Sequence, residues 1–164
     1  MFQDLTTIKE AGFTGFKTVA QLWNDISSIP NETGIYLILN PDCSKKQFMA
    51  KGVGGFFKGK DPNLSVNELK VNWVDDCHVL YIGQAGGNGS AATLKKRLKQ
   101  YLDFGKGKPV GHYGGRLIWQ LSHHPELIVA WKATKGYDPR TEEKKLIQEF
   151  MSYYGRLPFA NLTL

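Results

Sequence analysis

Cysteine is almost absent from the chain: Cys43 and Cys77 are the only two in 164 residues. They lie far apart, and neither has a His or Cys partner at metal-ligand spacing, which argues against a zinc site and against a disulfide scaffold. The expected setting is cytoplasmic with both thiols free, a single disulfide between them being the alternative. No run of apolar residues approaches the roughly 20 needed to cross a bilayer. The N-terminal MFQDLTTIKEAGF has neither a basic start nor an apolar stretch, so nothing in it reads as an export signal and no membrane partner is expected. There is no repeat and no low-complexity tract. Gly86 to Gly89 lacks the Lys-Ser/Thr of a phosphate-binding loop, and His123-His124 stands before Pro125 without a ligand partner, so both read as structural.

What is present is the balance of one globular domain spanning residues 1–164, with 41% apolar and 22% charged residues. The net charge is +6, a moderate bias toward polyanions. Its placement says more than its size. Lys95, Lys96, Arg97, Lys99, Lys106 and Lys108 face a single acid, Asp103, along one helix and its exit loop. A phosphate backbone is the natural partner of such a cluster, a solvated helix face the plainer alternative.

Helix and strand patterns alternate, as expected of an α/β or α+β domain. A first helix is predicted from Val19 to Ile26, capped by Thr18 and stopped before Pro30. GIYLIL at Gly34 to Leu39 and Val79 to Gly83 read as strands. Between them lies an insertion, about residues 41–77, with Gly52, Gly54, Gly55 and Gly59 at turns and a short helix from Val66 to Trp73. A flexible Gly86 to Ser90 turn leads into a basic helix from about Thr93 to Leu102. A short helix at Arg116 to Leu121 and a strand at Leu127 to Trp131 follow. The last helix has the clearest limits, with Asp138 as N-cap, Pro139 in the first position and Gly155 just past the end.

Three features point to chemistry. GIY and YIG are mirror images, so an antiparallel pairing of Ile35 with Ile82 sets Tyr36 opposite Tyr81 with a glycine beside each. On the basic helix, about 100° per residue places Arg97 at the inner edge of a stripe of Leu94, Leu98, Tyr101 and Leu102. An arginine there suits a fixed two-pronged phosphate contact, or else snorkels past the stripe. On the last helix the same arithmetic puts Glu143 at the centre of the stripe Leu146, Ile147, Phe150, Met151 and Tyr154. A carboxylate in that position requires a partner: a metal ion, a buried ion pair such as one with Arg97, or the helix dipole.

Taken in order, GIYLI, LYIGQA, LKKRLKQYL, EKKLIQEF and GRLPFANL across Gly34 to Leu162 resemble the motifs of the GIY-YIG nuclease superfamily. The resemblance implies a small, mainly antiparallel three-stranded sheet flanked by helices and a metal-dependent endonuclease hydrolysing DNA phosphodiester bonds with Mg2+ (or Mn2+). It puts catalytic roles on Tyr36, Tyr81, Arg97, Tyr101, Glu143 and Asn161, with Glu143 holding the metal. Tyr36 would help activate water as a phenolate or hydrogen-bonded phenol, with Tyr81 orienting it. Lys95, Lys96 and Lys99, with Lys58 and Lys60 of the insertion, are the expected nucleic-acid contacts. The chain departs from the family pattern at Gln84, where a lysine often follows YIG, and in the length of the GIY to YIG connection. The alternatives are an RNA nuclease or a non-catalytic nucleic-acid-binding module on the same scaffold.

Overall fold

The computed structural model describes all residues, 1–164. It is a mixed α/β fold in which an antiparallel four-stranded sheet is flanked by helices on both faces. In chain order the elements are α1 (Leu5–Glu10), β1 (Thr14–Thr18), α2 (Val19–Asn24), β2 (Gly34–Leu39), α3 (Val66–Asn72), β3 (Val79–Ala85), α4 (Leu94–Gly105), β4 (Ile128–Ala133) and α5 (Pro139–Tyr154). Short 3-10 turns lie at Phe57–Gly59, Arg116–Gln120 and His124–Glu126. No helix is long and apolar enough to cross a membrane. Cys43 and Cys77 are free, and the buried Cys77 thiol donates to the Val79 carbonyl.

The strand order is β1-β4-β2-β3, which corrects the expected three-stranded sheet. The fourth strand, TGFKT, escaped notice because it does not alternate. Gly15 and Phe16 both have positive φ, and the register with β4 slips between Thr14 and Lys17. A bulge of this kind breaks the period-2 signal. A Cβ on Gly15 would lie 2.5 Å from the Trp131 ring, so the kink also makes room for that indole. Helix α1 precedes it, with an Asp4–Thr7 capping box, and was not anticipated.

The central strand β2 is buried along its whole length because it has a strand on each side and helices above and below. Its alternate residues feed two cores. Tyr36 and Ile38 join Leu94, Leu98, Tyr101 and Trp119 on the α2/α4 side, while Ile35, Leu37 and Leu39 join Ile8, Ile147 and Phe150 on the α1/α5 side. Caps fix the helix limits: Thr18 accepts from Gln21 N–H, and Asp138 from Thr141 N–H, with Pro139 at the first position of α5 and Gly155 in the left-handed conformation at its end. The first predicted helix stops two residues early, at Asn24.

The insertion is anchored through Gln120. This buried amide donates to the carbonyls of Met49 and Leu64 and accepts from Leu64 N–H, at 2.8–3.2 Å, so its polar atoms replace a missing strand partner. Phe48 bridges to Leu121, and Val53 N–H bonds to the Trp119 carbonyl. The segment thus covers one flank of the larger core.

Strands β2 and β3 pair with Tyr36 opposite Gly83 and Ile38 opposite Tyr81. A Cβ at Gly83 would come within 2.5 Å of Tyr36 Cζ, 2.7 Å of its hydroxyl and 2.8 Å of Tyr81 Cε1. Gly83→Ala is therefore expected to destabilise the protein by about 1–3 kcal/mol, through overpacking rather than lost contact. Urea unfolding checks this; an unchanged midpoint would mean the phenols shift freely.

Candidate active site

The sequence-based register, Ile35 opposite Ile82, is off by two residues: Leu37 stands opposite Ile82. A two-residue slip keeps every side chain on its own face. The two phenols therefore still meet, diagonally rather than directly, with ring centroids 6.0 Å apart. The glycine that matters is Gly83, across the ladder from Tyr36. It lets that ring lie flat on the strand, which is a different use from the clearance beside each hydroxyl that the tripeptides suggested.

Tyr36 is fully buried, and Tyr81 is 7% exposed at the edge of a cleft. Burial pushes the Tyr36 phenol well above its usual range, and the adjoining Tyr81 adds to this. Tyr81 is raised to about 12, again chiefly by burial, with Arg97 opposing. Both are neutral phenols in the free protein, which disfavours a resident phenolate at Tyr36. Tyr101 is the pillar behind them. Its ring lies 6.0 Å from Tyr81 and 5.0 Å from Trp119, and its hydroxyl donates to the Gly115 carbonyl at 2.8 Å.

His112 completes this cluster, and sequence reasoning missed it. Its Nε2 is 3.4 Å from the Tyr36 hydroxyl, and its ring centroid is 4.5 Å from that of Tyr101. Burial, then the charge of Arg97, depresses its basicity well below the ordinary histidine range, so the imidazole is neutral. It sits in the irregular stretch KPVGHYGG, where no periodicity exists to assign it a face.

Arg97 is half-buried on α4, as its edge position predicted, and forms no ion pair. Glu143, in the second turn of α5, is also half-buried. It pairs with no cation, so the alternative of a buried Arg97–Glu143 bridge is not formed. Burial raises its carboxyl to about 7, against the opposing charges of Arg140, Arg97 and Lys144. Glu143 lines a cleft of about 330 Å³ with Tyr81, Tyr113, Arg116 and the C-terminal segment. Arg116 stacks on the Tyr113 ring at 4.0 Å, its buried Nε having no acceptor. Neither residue was anticipated, because Arg116 stands at the start of a 3-10 turn and its position depends on the fold around it.

Asn161 lies beside this cleft, yet both ends of its amide are engaged. Its oxygen accepts from Ile82 N–H at 2.9 Å and its Nδ2 donates to the Ile82 carbonyl at 2.8 Å. Asn161, itself part of the cleft lining, thus clamps the C-terminal segment onto the free edge of β3. Of the expected nucleic-acid contacts, Lys96 is exposed and Lys95 half-buried. Lys99 is exposed but bonded to Asp103 at 2.7 Å, which Lys108 also contacts, so its charge is partly spent. Lys58 and Lys60 are exposed on the insertion, next to the segment carrying His112: Phe57 approaches Gly111, and the Tyr113 hydroxyl donates to the Asp61 carbonyl.

Comparison with protein-family models, with curated proteins and with solved structures found no match. No group of three or more His, Cys, Asp or Glu side chains converges anywhere in the chain. A hard cation can also be held by one carboxylate and completed by water and a phosphate oxygen. Glu143, desolvated and unpaired, is the donor suited to it.

The raised carboxyl has a sign that can be tested. Below about pH 4.5 the group is protonated folded or unfolded; between there and about 7 the unfolded chain ionises while the folded state resists, so stability is lost as pH rises to about 7 and stays lost above it. Glu143→Gln should melt with wild type near pH 5 and above it near pH 9. With the shift discounted to roughly 1 kcal/mol for solvent access, the gap is about 2–4 °C. A lower melting temperature for the variant at high pH would mean Glu143 has a cationic partner after all.

Proposed function

We propose that the chain is a metal-dependent endonuclease of the GIY-YIG type, hydrolysing DNA phosphodiester bonds. The observation that carries this reading is the unpaired, desolvated Glu143 sharing one cleft with Tyr81, while Arg97, also unpaired, is close enough to bias Tyr36, Tyr81, His112 and Glu143 electrostatically. Such a separation of one acid from its nearby cations costs stability unless a ligand closes it.

Each residue then has a task set by where it stands. Glu143 would hold the divalent cation, whose contribution when bound would be Lewis-acid polarisation of the phosphate. Tyr81 reaches the cleft and orients the attacking water. Tyr36 stands behind it as a neutral phenol beside the neutral imidazole of His112, keeping Tyr81 in place and excluding other water. Arg97 neutralises charge developing on the phosphoryl oxygens. Tyr101 and Asn161 hold the phenols and the edge of β3 in position.

The deciding experiment is incubation with supercoiled plasmid, linear duplex, single-stranded DNA and RNA, each with and without magnesium or manganese. Metal-dependent cleavage of DNA is expected, abolished in Glu143→Gln and retained in Glu142→Gln. Arg97→Lys should be nearly as damaging as Arg97→Ala, because lysine keeps the charge but loses the planar fork. An active Glu143→Gln enzyme would end the catalytic assignment. DNA binding without cleavage by wild type would identify a binding module, and selective RNA cleavage an RNA nuclease.

The exposed tip of the insertion, with Lys58, Lys60 and the 53%-exposed Phe56, extends the DNA-binding surface. Replacing both lysines with alanine should lower the slope of log affinity against log salt by about one unit per lost phosphate contact. An unchanged slope would leave this tip a purely structural cover.

A further inference from the structure

Beyond the Glu143 cleft, the molecule has a second concavity of about 490 Å³, lined by Gln84, the Gly86–Asn88 loop, Lys96, Arg97, Gln100 and Arg140. Three of those side chains are cations, and none is in an ion pair. The amides of Gln84 and Gln100 bond to no protein group, and the Gln84 oxygen is buried without a partner. No carboxylate lines the cavity. Asp138, beside the Gly87 loop, is already used: one oxygen accepts from Thr141 N–H and hydroxyl, and the other from Asn88 N–H.

The cavity is built by close packing rather than by chance exposure. Gly86, Gly87 and Asn88 all have positive φ, and a Cβ on Gly87 would lie 3.0 Å from the Asp138 carboxylate and 3.1 Å from Arg140 N. Glycine at 87 thus lets the loop lie against the first turn of α5 and holds Arg140 over the cavity. Arg140 is also the largest charge opposing the raised Glu143 carboxyl, ahead of Arg97. Arg140 and Glu143 are one turn apart on α5, about 5 Å along its axis. Both Arg140 and Arg97 line the second cavity and both act on the Glu143 carboxyl of the first, so the two clefts adjoin.

We propose that this cavity is a second phosphate subsite, taking the phosphodiester next to the one at Glu143, so that two successive phosphates of one DNA strand are gripped, with Arg97 reaching from the cavity wall to the first phosphate and Arg140 holding the second. The inference rests on the nuclease reading of Arg97 and Glu143. Arg140 supplies a charged fork to the second phosphate, Lys96 a further charge, and the free amides neutral donors. Arg140 would then set which phosphate enters the Glu143 cleft, by fixing its neighbour.

The test uses the full chain carrying Glu143→Gln, to prevent cleavage, and a short fluorescein-labelled DNA duplex followed by anisotropy as salt is varied from about 50 to 200 mM. Into this background go Arg140→Ala, Arg97→Ala, the two together, and Lys144→Ala as a control on the same helix. Each arginine change alone should reduce the salt slope by about one unit, and both together by about two, because they hold different phosphates. Lys144→Ala should leave the slope unchanged. The proposal is overturned if Arg140→Ala leaves the slope as it was, if the double change costs no more than Arg97→Ala, or if Lys144→Ala matches Arg140→Ala. A parent protein that binds no duplex would remove the nuclease reading along with it. Metal-dependent cleavage by wild type with an unaltered Arg140→Ala slope would remove this inference alone.

Discussion

Burying a tyrosine in the middle of a sheet requires that something opposite it be small, and at this site the requirement falls on Gly83. With hydrogen in place of a side chain, the Tyr36 ring settles on β3 and its hydroxyl comes to rest beside His112. Tyr81 and Tyr101 close around it at about 6 Å between centroids, and Trp119 backs Tyr101. Tyr101 belongs to α4, so the same packing sets the height of that helix over the sheet, and with it the position of Arg97. Rigid aromatic side chains lose little entropy on ordering, which makes them a firm base for a cationic group. The site geometry thus follows from one missing Cβ through a continuous chain of ring contacts.

The charges around this base are arranged so that opposite signs stay near one another without pairing. Glu143 is approached by Arg140, Arg97 and Lys144, yet its carboxyl remains raised because loss of water outweighs all three. A direct salt bridge would relieve that cost, and each arginine is long enough in principle to make one. Neither pair is formed: Arg97 stands on α4 beside the aromatic cluster, and Arg140 starts from the first turn of α5, where the Gly86–Asn88 loop packs closely. Asp138, which could have captured Arg140, is used as a helix cap. On the proposed nuclease reading, the stability forgone would be recovered when a ligand carrying both a cation and phosphate oxygens bridged the two signs. This pattern is expected of a site that binds a composite ligand, and not of a structural ion-pair network.

Elements whose limits are set locally were legible in the sequence, and those set by tertiary contact were not. The start and end of α5 follow from Asp138, Pro139 and Gly155, and the inward faces of Arg97 and Glu143 from helical spacing alone. The two core strands follow from their β-branched and aromatic content. The register between them is a different matter, since mirror-image tripeptides suggest a symmetric pairing while the bulge near Leu39 and the fit of Tyr36 to Gly83 decide the real one. Strand β1 was hidden by its bulge. His112, Tyr113 and Arg116 lie in irregular backbone, where only the surrounding fold gives a side chain its direction. Asn161 shows the converse: its motif position is right beside the site, but the hydrogen bonds that define its work, to Ile82, are invisible until β3 is known to be an edge strand.

The insertion has two parts with different surroundings. From Phe48 to Val53 it is structural, bonded to the Arg116–Gln120 turn and sealing the aromatic core. From Phe56 to Asp61 it projects Lys58 and Lys60 into solvent, yet it is not detached from the site. The Asp61 carbonyl holds the Tyr113 hydroxyl, the Tyr113 ring carries the Arg116 guanidinium, and Arg116 lines the cleft of Glu143. Gly115, next to Arg116, accepts from Tyr101 and so ties the same segment to the phenols. A strand of nucleic acid pulling on the tip would act through this short run of contacts on the cleft itself. The long connection between the first two motif strands therefore braces from outside the Tyr113–Arg116 segment that lines the cleft, held at one end by Gln120 and at the other by the hydrogen bond to Tyr113.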